Sequence, residues 1–336
     1  MAKPMKPILG ITMGDAAGVG AEIIAKALAQ EEMYHSACPV VYGDAQVMAR
    51  AVNLTGQELA VHAITQPTEG AFQLGTIDVI DLVNISADLP FGKVDGRAGK
   101  AAYEYIARAT QDALAQKIHA VVTAPLNKEA LHLGGVNFPG HTEILAHLTQ
   151  AKHYAMMLTS PKLRVIHVTT HIAFHDVPQY LTKQRVAEVI ALAHETLQML
   201  GIAEPRIAVA GLNPHCGEGG LFGDEDTRNI APAVREAQAK GWQVTGPVPP
   251  DSVFHRAANL QEFDIVVAMY HDQGHIPIKV LGFDSGVNVT TGLPIIRTSV
   301  DHGTAFPVAG TGKANANSML EALRLAARMA TSKFHL

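Results

Sequence analysis

The stretch FDIVVAMYHDQGH, residues 263–275, joins a continuous apolar run to an abrupt polar end. Continuous apolar residues, without alternation, are typical of a strand that is buried on both faces of a parallel sheet. Four other runs have the same character: PILGIT (7–12), HAVVTA (119–124), LRVIHVTT (163–170) and RIAVAGL (206–212). These segments are therefore predicted to be strands of a mainly parallel sheet.

Helical patterns occupy the segments between these runs. Apolar residues share one helix face at Ala102, Ile106, Ala109 and Ala113, and another at Val186, Ile190, Ala193, Leu197 and Leu200. The second of these helices is expected to end before Gly201, and a last helix to run from about residue 318 to about residue 329. The alternation of strands and helices predicts an α/β fold in which helices cover the sheet.

Composition limits the kind of protein that this chain can be. Its 336 residues are enough for two domains, and 48% hydrophobic with 17% charged residues is typical of a soluble globular protein. A net charge of −5 gives no electrostatic reason to expect a nucleic acid or an anionic membrane as a partner. Residues 1–15 lack the apolar run of a signal peptide, and Cys38 and Cys216 lack CxxC spacing, which together favour a cytoplasmic location.

Three histidines each follow one of the predicted strands: His171, His215 and His271. In open α/β sheets the ligand lies beyond the carboxyl ends of the strands, where the loops converge. Three neutral imidazoles are good ligands for Zn²⁺ or a related divalent ion, with a position left open for substrate. The alternative is that each histidine only closes its own loop through a hydrogen bond.

Three further stretches carry groups that suit an anion. ITMGDAAGVGAEI (11–23) reads as a strand, a glycine-rich turn and a helix start, and a tight turn alone would explain it equally well. FPGHTEIL (138–145) offers His141 at a helix start, with Thr142 as a candidate N-cap. Residues 278–317 are interpreted as one long irregular segment, in which Lys279, Asn288 and Arg297 could bind a phosphate or a carboxylate.

Several motifs then occur in one order along nearly the whole chain: GDAAGVGAE, TAPLNKEAL, FPGHTE, TTH, GLNPHCGEGG, GPVPPDSVF, MYHDQGHIPIK, GVNVTTGLPIIRTSVDHGTA and AGTGKAN. In this combination the chain resembles the 4-hydroxythreonine-4-phosphate dehydrogenase family of pyridoxal phosphate biosynthesis and its paralogues. Residues 15–22 and 302–315 are also similar to segments of the decarboxylating isocitrate and isopropylmalate dehydrogenases. In that wider group the second segment contacts the adenosine part of a nicotinamide cofactor.

The resemblance implies an architecture. The family folds as two α/β/α domains, like isocitrate and isopropylmalate dehydrogenases, with a cleft between them, and it forms homodimers that share their active sites. By position, one domain would comprise residues 1–135 and 290–336, with the glycine-rich turn and the cofactor loop. The other would comprise residues 136–289, with the metal histidines.

The resemblance also implies a reaction and roles for particular residues. The family oxidises a secondary alcohol with NAD or NADP, and the resulting β-keto acid loses CO₂. By position, the metal ligands would be His171, His215 and His271, the substrate contacts His141, Thr142, Lys279, Asn288 and Arg297, the catalytic residues Asp251, Asp272 and Lys279, and the cofactor contacts His302, Gly303 and Thr304. Zn²⁺ is the first choice of metal, ahead of Mg²⁺ or Co²⁺. Asp272 and Lys279 both remain candidates for the general base.

Departures from the family pattern leave the identity of the substrate open. Ala16 and Ala21 stand where proline is usual, IAFHDVP (172–178) replaces a segment that often holds a basic residue, and Cys216 stands where alanine is usual. We expect a phosphorylated four-carbon acid: 4-phospho-D-threonate, 4-phospho-D-erythronate or 4-hydroxy-L-threonine 4-phosphate. The alternatives are an aromatic cis-dihydrodiol carboxylate as substrate, a metal-dependent hydrolase or acyltransferase, and a binding or sensor protein with a structural metal.

Overall fold

The computed structural model describes residues 6–86, 88–282 and 285–336. The chain divides into two compact units, Met1–Lys152 with Leu293–Leu336 and His153–Gly292, which we call unit 1 and unit 2. The sequence-based limits lay at 135/136 and 289/290, whereas the structure places residues 290–292 in unit 2 and residues 136–152 in unit 1. The reason is that the helix formed by His141–Thr149 packs against the long helix formed by Gly96–Leu114.

Unit 1 contains a parallel sheet with helices packed on it. Its strands are Ile8–Thr12 (β1), Cys38–Gly43 (β2), Ala60–Ile64 (β3), Thr76–Asp81 (β4), Ala120–Thr123 (β5) and Ile296–Val300 (β12). They lie side by side in the order β3-β4-β2-β1-β5-β12, and each neighbouring pair is parallel. The helices of this unit are Gly20–Leu28 (α1), Glu31–Ser36 (α2), Ala45–Thr55 (α3), Gly96–Leu114 (α4), Lys128–Leu133 (α5), His141–Thr149 (α6) and Asn317–Phe334 (α12).

Unit 2 contains a mixed sheet. Its strands are Ala155–Thr159 (β6), Arg164–His167 (β7), Ile207–Ala210 (β8), Val244–Val248 (β9), Ile265–Ala268 (β10) and Val287–Thr291 (β11). In the order β11-β6-β7-β10-β8-β9, the first two pairs are antiparallel and the other three are parallel. The helices of this unit are Val177–Tyr180 (α7), Lys183–Met199 (α8), Ala231–Ala239 (α9), Pro250–Ala258 (α10) and His271–Gly282 (α11).

The core of each unit follows from the apolar runs. Val121 and Val122 of β5 and Val266 and Val267 of β10 are fully buried, as expected for strands covered on both faces. In unit 2, α10 and α11 pack on the sheet and contribute Val253 and Ile278 to one cluster with Leu158, Leu163, Val165, Ala208, Ala210, Val248, Ala257, Ala258, Val266 and Ala268. This packing fixes the strand ends from which the candidate site residues project.

The α/β prediction is confirmed, and the five predicted runs are the strands β1, β5, β7, β8 and β10. The interpretation of residues 278–317 as one irregular segment is wrong. Its first residues complete α11, and it also holds β11 and β12. The reason is that β11 (VNVTT) and β12 (IRTSV) each contain polar residues between or beside their valines and isoleucines. They therefore lack a continuous apolar run even though most of their residues are buried.

Candidate active site

The three candidate metal histidines all follow strands that are neighbours in unit 2. Strand β10 pairs in parallel with β7 on one side and with β8 on the other, so the carboxyl ends of the three strands face the same way. His271 is the first residue of α11, which follows β10, while His171 and His215 lie in the loops after β7 and β8. The sheet therefore places the three histidines after the carboxyl ends of three neighbouring strands.

Two of these histidines come close together. The ring centroids of His171 and His271 are 5.7 Å apart. The Nδ1 of His271 lies 2.7 Å from Oδ1 of Asp272, so Nδ1–H donates to that carboxylate. This hydrogen bond leaves the lone pair on Nε2 of His271, which is the arrangement that metal-binding histidines normally have.

His215 is held differently, in a left-handed turn. Residues 215–219 all have positive φ, and His215 itself has φ 49° and ψ 32°. Its Nδ1 lies 3.2 Å from Oε1 of Glu218, and the side chain is 60% exposed. Because non-glycine residues rarely adopt this conformation, the turn stores strain at the point where the imidazole is presented.

The donor set fits a divalent cation in its chemistry. His215 and His271 each have Nδ1 bonded to a carboxylate, which leaves Nε2 as the candidate ligand atom. Within residues 6–86, 88–282 and 285–336 of one chain, no three histidine, cysteine, aspartate or glutamate side chains are gathered closely enough to hold a metal ion. The metal site is therefore a proposal that rests on strand-end placement and on the orientation of the rings.

Sequence reasoning missed the residues that hold these loops. The buried Gln273 accepts from the Met269 N–H at 2.6 Å and donates to the Gly211 carbonyl at 2.7 Å, so it ties the end of β10 to the end of β8. The buried carboxylate of Asp226 accepts the backbone N–H groups of Leu212 and Asn213. Gln273 lies in the quoted HDQGH stretch, so its position beside His271 was the available signal.

Two further histidines lie beneath His271. The His275 ring stacks on the His271 ring at 3.6 Å between centroids, and its Nδ1 lies 3.1 Å from Nε2 of His167. Burial, with the neighbouring histidines, lowers the pKa of His167 to about 3, so this imidazole is neutral at pH 7. A Cβ on Gly274 would come within 2.4 Å of His167 Nε2, so only glycine fits at that position.

A pocket of about 550 Å³ opens beside His215 in unit 2. Asp251, at the start of α10, lines it together with His215, and Phe174 and Tyr270 form an edge-to-face aromatic pair on its wall. The remaining lining residues are Val177, Pro178, Leu212, Asn213, Pro214, Glu225 and Pro250. The departure IAFHDVP from the family pattern thus supplies part of the pocket wall.

The other candidate residues of unit 2 lie on α11 and β11. Lys279 is half-buried near the end of α11. Asn288 lies on β11, paired in register with Leu158 of β6. The buried Oδ1 of Asn288 has no hydrogen-bond partner among the described residues, which suits a polar ligand atom.

In unit 1, the buried Arg297 and the half-buried His141 influence one another. Arg297 lies on β12 and donates from Nη2 to the Thr123 hydroxyl at 2.7 Å. Burial lowers the pKa of Arg297 to about 9, and the charge of Glu143 opposes that shift. Burial and then the Arg297 charge hold the pKa of His141 well below its usual range, and its Nε2 has no partner within the described ranges. The pair is a buried cation beside a neutral imidazole.

The N-cap expected at Thr142 is wrong. Helix α6 begins at His141 with Gly140 as its N-cap, and no side chain caps it. Thr142 is therefore the second residue of the helix. Because Gly140 has no side chain, it cannot itself accept hydrogen bonds from the first N–H groups of the helix through a side chain.

The two segments that resemble isocitrate and isopropylmalate dehydrogenases touch each other in unit 1. The Val19 N–H, at the start of α1, donates to the Thr304 carbonyl at 3.1 Å. A Cβ on Gly18 would lie 3.0 Å from Thr304, so the glycine permits this approach. His302 and Gly303 are exposed, while Thr304 is buried. The three predicted cofactor contacts thus lie at the glycine-rich turn.

Known proteins resemble this chain both in sequence and in structure. The sequence profile of the family described as "Pyridoxal phosphate biosynthetic protein PdxA" matches residues 35–326. The chain is 54% identical to a D-threonate 4-phosphate dehydrogenase of Cupriavidus necator over 328 residues, which is 97% of this chain and 98% of the relative.

Two solved structures extend the comparison. A 4-hydroxythreonine-4-phosphate dehydrogenase of Klebsiella pneumoniae is 50% identical with a TM-score of 0.89, covering 97% of this chain and 100% of the other. A terephthalate 1,2-cis-dihydrodiol dehydrogenase of Burkholderia xenovorans is 30% identical with a TM-score of 0.71, covering 96% and 98%. By its sequence and its fold, this chain belongs to the PdxA family of pyridoxal phosphate biosynthetic proteins.

Proposed function

We propose that this protein is an oxidoreductase that oxidises the 3-hydroxyl of 4-phospho-D-threonate with NAD or NADP, with loss of CO₂ from the β-keto acid. The placement of His171, His215 and His271 at the carboxyl ends of neighbouring parallel strands carries this proposal, because it supplies donors for a divalent metal. The substrate is chosen by the 54% identity to a D-threonate 4-phosphate dehydrogenase. 4-Phospho-D-erythronate and 4-hydroxy-L-threonine 4-phosphate remain the neighbouring candidates.

The three histidines would hold the metal, with Zn²⁺ as first choice and Mg²⁺ or Co²⁺ as alternatives. A divalent cation at this position lowers the pKa of a bound hydroxyl and stabilises negative charge on the adjacent oxygen. Asp272 and Glu218 fix the ring orientations of His271 and His215 through Nδ1. In the proposed dimer, ligands from both subunits complete the set.

Arg297 and His141 are the proposed anion anchors of unit 1. The guanidinium stays protonated at neutral pH, because its pKa of about 9 is still above 7. An anionic group beside it would raise that pKa again, so binding of the substrate and the charge of Arg297 favour each other. Thr142, Lys279 and Asn288 are the other proposed substrate contacts. Binding energy from the phosphate orients the reacting carbon.

Proton transfer is assigned to the acidic and basic groups of unit 2. The hydroxyl proton must leave when hydride leaves, so a base is required. Asp272 is 71% exposed at the start of α11, and Lys279 lies two turns further along the same helix. Asp251 lines the pocket beside His215. We propose Asp272 or Lys279 as the base, with Asp251 as a further proton carrier.

His302, Gly303 and Thr304 are proposed to contact the nicotinamide cofactor, which supplies the hydride acceptor.

The proposal also includes a homodimer with shared active sites and a cytoplasmic location. Cys38 and Cys216 are free thiols, as a reducing compartment would keep them. In the described part of the chain, no helix has both the length and the apolar character needed to cross a bilayer.

The test is a spectrophotometric assay of NADH or NADPH formation with added Zn²⁺, Mg²⁺ or Co²⁺. The three phosphorylated acids are compared with a cis-dihydrodiol of an aromatic carboxylate, which the 30% identity to a terephthalate dihydrodiol dehydrogenase keeps as second candidate. We expect 4-phospho-D-threonate to give the highest kcat/KM. Turnover of the dihydrodiol alone would replace the proposed substrate, and phosphate release without cofactor reduction would replace the reaction by hydrolysis.

A further inference from the structure

Helix α1 holds a distant loop of unit 1 through a buried carboxylate. Glu22 is fully buried, and its two oxygens accept the Gly310 N–H and the Gly312 N–H, each at 2.7 Å. Hydrogen bonds to a carboxylate are short and roughly twice as strong as neutral ones. One side chain therefore satisfies two backbone donors that lie 288 and 290 residues away in sequence.

Lys26 holds the same loop through its carbonyl groups. It lies four residues after Glu22, hence on the same face of α1, and its Nζ donates to the Gly312 carbonyl at 2.6 Å and to the Ala314 carbonyl at 2.7 Å. The Glu22 carboxylate thus binds N–H groups of the loop, and the Lys26 ammonium group binds carbonyl groups of the same loop. We call Glu22, Lys26 and the backbone of residues 310–314 the loop clamp.

The loop would be poorly ordered without such contacts. Gly310 and Gly312 have φ of +79° and +69°, in the left-handed region that glycine enters freely. A Cβ on Gly310 would meet the Phe91 ring at 2.6 Å, and one on Gly312 would meet the Leu54 carbonyl at 2.4 Å. The glycines are needed for this close fit, but they also give the free loop many other conformations.

The clamp acts on the backbone and leaves the loop's polar side chains exposed. Gly310, Gly312 and Ala314 supply the bonded groups, while the alternating residues Thr311, Lys313 and Asn315 are exposed. A loop held in this way presents its exposed polar side chains to a ligand without having to order itself on binding. Such preorganisation lowers the entropic cost of binding.

We propose that Glu22 and Lys26 are positioning residues for the nicotinamide cofactor, because they hold loop 310–314 in its binding conformation. The inference rests on the proposed dehydrogenase function and on the similarity of residues 302–315 to the segment that contacts the adenosine part of the cofactor in isocitrate and isopropylmalate dehydrogenases. Neither residue takes part in the chemical step. Their loss should therefore weaken cofactor binding and leave the turnover of saturated enzyme nearly unchanged.

The main test is Glu22→Gln in the full-length protein. A carboxamide has one acceptor oxygen, so its NH₂ group would face one of the two backbone N–H groups and leave it unpaired. We expect the KM for the nicotinamide cofactor to rise at least about tenfold, with kcat and the KM for the acid changed less than about twofold. Hydrogen–deuterium exchange of the peptide spanning residues 302–318, measured without cofactor, should become faster.

Asp78→Asn is the matched control in the same unit. Asp78 is also buried, and its carboxylate accepts two backbone N–H groups, of Ala71 and Phe72, at 3.0 and 2.9 Å, besides its contact with Nδ1 of His62 at 2.8 Å. It should lower the free energy of unfolding to a similar extent and leave the cofactor KM unchanged. Lys26→Met, at a half-buried position, is the second variant and tests the clamp even if Glu22→Gln fails to fold.

Two results would overturn the inference. One is a cofactor KM within about twofold of wild type in a variant whose loop exchanges faster; the other is unchanged exchange in both clamp variants. Failure of the proposed function has a different signature, namely a wild-type protein that reduces neither NAD nor NADP with any of the acids. The exchange comparison needs no cofactor and still decides whether the clamp orders the loop.

Discussion

At the scale of single residues, His215 gives the clearest test of the metal site. Its side chain is 60% exposed and contacts Glu218, so His215→Ala should leave the fold intact. We expect loss of bound metal, measured by elemental analysis, and a fall in turnover of about 100-fold or more.

His153→Ala is a matched control for this substitution. The His153 side chain is 62% exposed and its Nδ1 lies 3.3 Å from Glu188, which closely copies the environment of His215. The control should keep both metal and activity. An active, metal-free His215→Ala enzyme would exclude His215 as a ligand.

Arg297→Ala tests the proposed phosphate contact. Loss of a buried cation that binds an anion removes about 3 kcal/mol, so the KM for the phosphorylated acid should rise about 100-fold. The KM for NAD should change far less, and both values come from the same steady-state titrations. Equal increases in the two constants would count against a phosphate role for Arg297.

Asp15, in the glycine-rich turn, gives a prediction about pH. Burial raises the pKa of this carboxyl to about 6, opposed by the Ala17 N–H and assisted by the charge of Asp95. The folded chain therefore keeps a proton between about pH 4 and pH 6 that the unfolded chain releases, so Asp15 contributes stability below pH 4 that is lost as pH rises through 6.

Urea unfolding at a series of pH values checks this effect. Relative to Asp15→Asn, the wild-type protein should lose about 2 kcal/mol of unfolding free energy between pH 4 and pH 7. The difference in unfolding free energy between the two proteins isolates the contribution of Asp15 from the contributions of the other carboxyl groups. A difference that stays constant with pH would show that folding does not raise the pKa of Asp15.

At the scale of elements, the sequence predicts strands well only where burial is continuous. Strand β10 reads as IVVA and is covered on both faces, so its apolar run was sufficient to predict a strand. Strand β12 reads as IRTSV and is equally buried, but its arginine and hydroxyls look like those of a surface loop. Arg297 is buried because Thr123 and the surrounding structure solvate it, and tertiary contacts of this kind leave no local pattern in the sequence.

Gln273 joins two elements, and its removal should loosen both. Gln273→Leu keeps the approximate volume and removes the bonds to Met269 N–H and to the Gly211 carbonyl. We expect the free energy of unfolding to fall by about 2 kcal/mol, measured by urea denaturation, together with weaker metal binding. Gln184→Leu, at an exposed position of α8, should change neither quantity. Unaltered metal affinity in Gln273→Leu would show that the hydrogen bonds of Gln273 do not support the metal site.

At the scale of the whole molecule, strand-end reasoning predicted that His171, His215 and His271 follow neighbouring parallel strands, but it gave little of their geometry. It placed His171 and His271 at one sheet edge, and their rings lie 5.7 Å apart. It could not give the left-handed turn at His215 or the buried His167 beneath His275, because both depend on side-chain contacts across loops far apart in sequence. The point at which the chain passes from unit 1 to unit 2, after Lys152, likewise depends on how α6 packs on α4.

The proposed dimer gives a prediction at the same scale. If two subunits complete each site, light scattering should give twice the chain mass of 35.7 kDa. Specific activity should fall on dilution as the dimer dissociates, because each separated chain lacks ligands for its metal. Full activity of a protein that light scattering shows to be monomeric would contradict the shared site.

The most direct test of the central claim is a paired measurement on metal-depleted protein. With 4-phospho-D-threonate and NAD or NADP, we expect no reaction until Zn²⁺, Mg²⁺ or Co²⁺ is restored, and then reduced cofactor and CO₂ in equal amounts. Reduced cofactor without CO₂ would contradict the decarboxylation, and full activity without metal would contradict the role of the three histidines. No reduction of either cofactor, with metal and cofactor both shown to be bound, would contradict the proposed substrate.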